Sequence, residues 1–187
     1  ILDNLNAANK IAPTITVLVW HLGKRNKDLI NDAFGDFVAK ELVNWTKNNY
    51  NIGLTSSSIC VGGSSRGGYA ASLIAFNHSE IIGNVISQSG SYWITSKDKK
   101  NHWMYPTVQG KLMHAYKSSK KLPIRFYMDI GLYDAGASML GMNREFRSVL
   151  ELKGYDLDYN EFKGGHSYLN WKQTLSNGII SIFGKRK

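Results

Sequence analysis

The sequence predicts an α/β fold with a largely parallel central sheet covered by helices on both faces. Two observations lead there. Short apolar runs rich in β-branched residues alternate along the chain with longer segments of helical periodicity, the pattern of strands joined by helical crossovers. Several of these runs are apolar almost throughout rather than at every second residue, as expected of strands buried on both faces.

In chain order, residues 1–10 read as the end of a helix, with Leu2 and Leu5 at helical spacing before a turn that closes at Pro13. TITVLVW at 14–20 is the first expected strand. After a polar loop from His21 to Lys27, the segment from Asp28 to Asn48 sets Leu29, Ala33, Phe34, Phe37, Val38 and Leu42 at helical spacing and predicts a long amphipathic helix. A short strand at about 58–62 runs into GGSSRGGYAAS, whose small residues suit a helix packed close to the sheet. A strand at 84–87 ends in QSGSYWIT, and a lysine-rich excursion leads to a helix at about 107–119. IRFYMDI at 124–130 is the next strand, followed by GLYDAG and a helix at about 139–153 with Gly154 at its stop position. DLDYNEF at 156–162 alternates polar and apolar residues, which suits a more exposed strand near the sheet edge, and a terminal helix runs to about Phe183.

A chain of 187 residues fits one domain with a sizeable core. Hydrophobic residues at 43% and charged residues at 20% exclude disordered and fibrous classes. No apolar run approaches the roughly 20 residues of a membrane-spanning helix, and the lone Cys60 cannot form an internal disulfide. Lys and Arg outnumber Asp and Glu by 23 to 14, a formal charge of +9. The basic residues lie in short runs (Lys97, Lys99 and Lys100; Lys117, Lys120 and Lys121; Lys185 to Lys187) without a nucleic-acid motif, so solvated loops are preferred over a nucleic-acid site. No metal or cofactor is expected. A cytoplasmic location is the expectation, with a periplasmic or secreted one left open.

Gly63-Ser64-Ser65-Arg66-Gly67 matches G-x-S-x-G and falls between an expected strand and an expected helix, the setting in which that motif is a nucleophile elbow. A serine at the apex of such a turn takes a strained backbone conformation and raises its hydroxyl above the sheet, and Gly63 and Gly67 answer the crowding two residues to either side. The helix that follows directs its N-terminus at the site, so the Arg66 backbone N–H is a candidate oxyanion donor. The alternative is a plain or phosphate-binding glycine turn, but no phosphate-loop spacing is present.

A serine hydroxyl needs a base to take its proton. Of five histidines, His166 follows Gly164-Gly165 in the loop between the last strand and the terminal helix, where this chemistry places its base. Asp134, just past the 124–130 strand, is the candidate acid in the order Ser, acid, His; an ordinary turn aspartate is the alternative there.

At these residues the sequence resembles the esterase family that includes enterochelin (ferric siderophore) esterases and esterase D-like hydrolases, an α/β-hydrolase fold. The likeness covers almost the whole chain: Arg25 with Asp28-Leu29, Glu41-Leu42, the elbow around Ser65, Ser89-Gly90-Ser91-Tyr92-Trp93, and Gly164-Gly165-His166 with Trp171. It implies hydrolysis of ester bonds in small molecules, among them catecholate siderophore lactones, with Arg25, Tyr92 and Trp93 as substrate-binding candidates. An acyltransferase, a feruloyl or aryl esterase, or an inactive binding module of the same fold are the alternatives. The family often carries glutamate near Asp134, which leaves a Ser65–His166 dyad open. It also has an earlier central strand, whose following loop supplies a second oxyanion donor, so residues 1–187 are expected to lack N-terminal strands of the catalytic domain.

Overall fold

The computed structural model describes residues 1–20, 23–52, 55–95 and 108–184. Its centre is a four-stranded sheet of β1 (Cys60–Ser64), β2 (Asn84–Gln88), β3 (Arg125–Gly131) and β4 (Asp156–Phe162), in that spatial order and all parallel. The helices are α1 (Leu2–Ala7), α2 (Arg25–Asp28), α3 (Asp32–Asp36), α4 (Val43–Asn49), α5 (Arg66–Asn77), α6 (Lys111–Ser118), α7 (Gly136–Leu152) and α8 (Tyr168–Phe183), with a π-helical stretch Phe37–Leu42 joining α3 to α4.

Successive side chains of the inner strands point to opposite layers, and both layers are apolar. Val85, Phe126 and Met128 join α5, α6 and α7 in one core, with Tyr69, Leu112, Tyr116, Phe146 and Leu150. Ile86 and Tyr127 face the other way, against Ile179 and Ile182 of α8 and Leu2 and Leu5 of α1. This double coverage explains why these strands read as continuous apolar runs. β4 lies at one edge and is only partly buried, in keeping with its alternating sequence.

The register places the site. Gln88 pairs with Ser64 on one side and with Asp129 on the other, so the C-terminal ends of β1, β2 and β3 are level. The segments that follow them leave the sheet together, at the end where open α/β sheets assemble their sites.

Four expectations need correction. Residues 14–20 form no strand: Leu18 is 90% and Trp20 76% exposed, and β1, the other edge of the sheet, pairs with β2 alone among the described residues. The run is apolar enough for a buried strand, but a strand is fixed by the ladder it joins, and none of the described strands lies beside this one. The expected helix from Asp28 is broken as well. α2 ends at Asp28 and α3 begins at Asp32, because the Asn31 side chain accepts a hydrogen bond from the Ala33 N–H and caps a fresh start. The strand that leads into Gly63-Ser64-Ser65-Arg66-Gly67 runs two residues later than expected, Cys60–Ser64 rather than 58–62. The helix expected from residue 107 begins, among the described residues, at Lys111, and the lysines at 97–100 and 185–187 lie outside the described residues.

Candidate active site

Ser65 stands between β1 and α5 with φ 58° and ψ −120°, a region that non-glycine residues rarely occupy. Backbone bonds hold the strain in place: the Ser65 N–H donates to the Gln88 carbonyl at 2.8 Å, and the Ser91 N–H donates to the Ser65 carbonyl at 3.1 Å. The turn is tight where Gly63 passes α5, since a Cβ on Gly63 would lie 2.6 Å from the Gly67 carbonyl carbon. Gly67 itself has open space at that position, contrary to the expectation that it too must lack a side chain. The second crowded position is Gly68, whose Cβ would come within 2.6 Å of the Ser87 Oγ.

His166 Nε2 lies 3.0 Å from Ser65 Oγ, and His166 Nδ1 lies 2.6 Å from Asp134 Oδ1. A carboxylate has no proton to give, so Nδ1–H donates to Asp134 and Nε2 is left to accept from the serine hydroxyl. The two loops reach each other through the backbone: the Tyr133 N–H donates to the Gly164 carbonyl at 2.9 Å, and Asn170 Nδ2 donates to the Gly165 carbonyl at 2.9 Å. Residues 101 positions apart in sequence are thereby brought within hydrogen-bonding distance.

The Asp134 side chain is fully buried and well supplied with donors. Besides His166, the Ala135 N–H donates to Oδ1 at 2.6 Å and the Ser89 hydroxyl donates to Oδ2 at 2.7 Å. Ser89 in turn accepts from Trp171 Nε1 at 3.0 Å, and the Trp171 ring meets the His166 ring edge-on, with centroids 4.7 Å apart. The nearby Asp129 has a different setting. Burial pushes its carboxyl up to about 6, and its Oδ2 accepts from Gln88 Nε2 and the Tyr127 hydroxyl, both at 3.2 Å.

An open pocket of about 260 Å³ adjoins Ser65 and is lined by Arg66, Ser91, Trp93, Ala135, Met139 and His166 besides Ser65 itself. Trp93 is thus at the site as expected. Tyr92 is not: it is buried against Phe146, with its hydroxyl 2.8 Å from both Ser72 Oγ and Ser87 Oγ, and it belongs to the core. Arg25 lies in α2, half-buried and outside the pocket lining, close enough that its charge acts on Arg66. No cluster of His, Cys, Asp and Glu suited to a metal occurs among the described residues, and no described helix is long and apolar enough to cross a membrane.

The sequence model of the Esterase family matches residues 10–182. The chain belongs to the Esterase family. An acetyl esterase of Caldicellulosiruptor saccharolyticus is 25% identical over 170 residues, covering 79% of this chain and 63% of its own length. The iron(III) enterobactin esterase of Escherichia coli is 22% identical over 188 residues, covering 98% of this chain and 45% of its own length. The structure of the Shigella flexneri enterobactin esterase superposes with a TM-score of 0.85 at 24% identity, covering 97% of this chain and 46% of that one, which shows a common α/β-hydrolase fold. This Esterase-family chain therefore spans between 45% and 63% of the length of the curated relatives it matches.

Within this Esterase-family site, Ser89 was missed as a functional position, although its signal was present. It precedes Gly90 at the end of a buried strand and, like Ser65, takes a positive φ, 50°. A Ser89→Ala substitution removes a hydrogen bond to a charged group, an interaction of about 1.5–3 kcal/mol. Ester turnover is expected to fall about ten- to a hundredfold in Ser89→Ala, with KM little changed, as steady-state kinetics on an activated ester will show.

Proposed function

We propose that this chain is the catalytic portion of a serine esterase that hydrolyses carboxylic esters of small molecules through an acyl-enzyme. The observation that carries the reading is the continuous relay from Ser65 Oγ to His166 Nε2 at 3.0 Å and from His166 Nδ1 to Asp134 at 2.6 Å. In the first step His166 Nε2 takes the Ser65 proton as Oγ attacks the ester carbonyl, and the carbonyl oxygen becomes an oxyanion. The Arg66 N–H, at the first position of α5, is free of the helix's own hydrogen bonding and supplies one donor to that oxygen. The alkoxide leaves with the proton held by His166. Water then gives a proton to Nε2 as it attacks the acyl carbonyl, and the adduct collapses to the free acid as Ser65 Oγ leaves and takes that proton back from Nε2. Asp134 holds the His166 ring in place and stabilises the imidazolium as it forms. The names of the relatives, an acetyl esterase and enterobactin esterases, favour ester hydrolysis and make catecholate siderophore lactones one substrate class to try.

The reading extends to the open edge of β1. A further strand of the same polypeptide pairs there, covers the apolar run 14–20, and brings the second oxyanion donor in the loop that follows it. The edge of β1, which pairs with β2 alone among the described residues, and the exposure of the run 14–20 support this. One missing oxyanion donor costs about a hundred- to a thousandfold in turnover.

Two measurements test the proposal. A fluorophosphonate probe is expected to label Ser65, located by peptide mass spectrometry, in a protein that hydrolyses a panel of aryl, alkyl and catecholate esters; labelling elsewhere, or none, refutes the nucleophile. The 187-residue chain alone is expected to be poorly soluble or at least a hundredfold slower than a polypeptide that also carries the proposed strand and its loop. Equal rates from a monomeric 187-residue chain would sink the added strand.

A further inference from the structure

The pocket beside Ser65 has a chemical asymmetry that ester hydrolysis alone does not require. Trp93, Ala135 and Met139 give it an apolar wall, Ser65, Ser91 and His166 a polar one, and Arg66 is the charged residue of the lining. Among the described residues no acidic residue contributes to the lining. The Arg66 guanidinium lies over the Trp93 ring, 5.5 Å from its centroid, which fixes the long side chain along the pocket instead of leaving it to sweep through solvent.

Among the described residues neither Arg66 nor Arg25 has a carboxylate within ion-pair distance, whereas three other arginines are each paired: Arg125 with Asp156, Arg144 with Glu161, Arg147 with Glu151. Burial first, and the Arg25 charge second, hold the Arg66 guanidinium below its usual pKa range. An anion seated on Arg66 relieves both contributions, because it supplies the lost hydrogen bonds and screens the repulsion from Arg25.

We infer that the side chain of Arg66, stacked on Trp93, is a carboxylate-binding subsite, and that the preferred esters carry a carboxylate on the part of the molecule that lies in the Trp93 pocket. This rests on the proposed esterase reading and deepens it: the backbone of Arg66 serves the oxyanion, and its side chain selects the substrate. A planar carboxylate matches the guanidinium fork in two parallel hydrogen bonds, and an aryl or alkyl spacer between it and the ester packs on Trp93 and Met139.

The test uses two pairs of rigid esters, in each of which a carboxylate is compared with its own methyl-capped form. On the alcohol side the pair is 3-acetoxybenzoate and methyl 3-acetoxybenzoate; on the acyl side it is the 4-nitrophenyl ester of 4-carboxybenzoic acid and its methyl-capped counterpart. The quantity read is the ratio of kcat/KM within a pair, which is independent of any change in basal turnover. The wild-type ratio is expected to be about ten- to a hundredfold in favour of the carboxylate in one pair, which also tells on which side of the ester the subsite lies. It is expected to fall to within about twofold of unity in Arg66→Gln and to be partly kept in Arg66→Lys, which retains the charge but not the fork. Because Arg66→Gln could fold poorly, wild-type protein is also titrated with benzoate and benzamide, and benzoate is expected to inhibit at least tenfold more tightly. Retained fluorophosphonate labelling and hydrolysis of the capped esters, with ratios at or below unity in both pairs or a ratio untouched by Arg66→Gln, overturns the subsite alone. Loss of labelling and of all ester hydrolysis in the wild type overturns the esterase reading and the subsite with it.

Discussion

A Ser65→Ala protein is expected to lose about a millionfold in ester turnover while keeping its fold. The side-chain oxygen it lacks has His166 Nε2 at 3.0 Å and Ser91 Oγ at 3.5 Å as its partners, so little stability depends on it. The strained backbone at φ 58° is held by main-chain bonds that alanine also makes. Circular dichroism and Tm are therefore expected to match the wild type, and the burst of alcohol released on acylation is expected to vanish. His166→Ala should be as damaging, and the double variant no worse than either, because the two groups act as a unit in one proton transfer. A well-folded Ser65→Ala protein with near-wild-type turnover would remove the elbow from the mechanism.

Asp134→Asn is expected to cost about ten-thousandfold in kcat, and the reason lies in a proton's position. In the wild type the carboxylate accepts from Nδ1–H, so Nε2 faces Ser65 with a free lone pair. An asparagine whose oxygen takes the Oδ2 place and keeps the Ser89 bond turns its NH₂ toward Nδ1, and the imidazole then carries its proton on Nε2, where it cannot take one from serine. Single-turnover kinetics on an activated ester will separate this loss of acylation from any change in binding. A loss of less than tenfold would mean that Ser65 and His166 work as a dyad and that Asp134 only shapes the loop.

Local rules carried much of this reading. The parallel order of strands and crossover helices follows from apolar runs alternating with helical periodicity, and β2, β3, α7, β4 and α8 fall within a few residues of their expected limits. The strained turn at Ser65 follows from neighbours in the chain, namely Gly63 below it and a helix of small residues after it. Where a feature depends on a partner far along the chain, the residues themselves were silent. The apolar run 14–20 has the composition of a strand, yet pairing is a property of two segments, and none of the described strands lies beside it.

The division is sharpest at neighbouring residues. Tyr92 and Trp93 are adjacent aromatic residues in one turn, equally plausible at a substrate site by type, and the fold buries the first against Phe146 while it lays the second along the pocket. Asp129 and Asp134 are five positions apart, and it is the reach of the 131–134 loop to Gly164 that gives Asp134 the histidine. Ser89 holds Asp134 across 45 positions and meets Trp171 across 82. The sequence by itself determined the order of the elements, the strained turn at Ser65 and the loop that carries His166, because these are set by sterics and periodicity within a few residues. Only the tertiary structure decided which acid meets His166 and which aromatic ring and which arginine line the pocket beside Ser65, because the direction of a loop side chain is fixed by packing and hydrogen bonds between segments that sequence order keeps far apart.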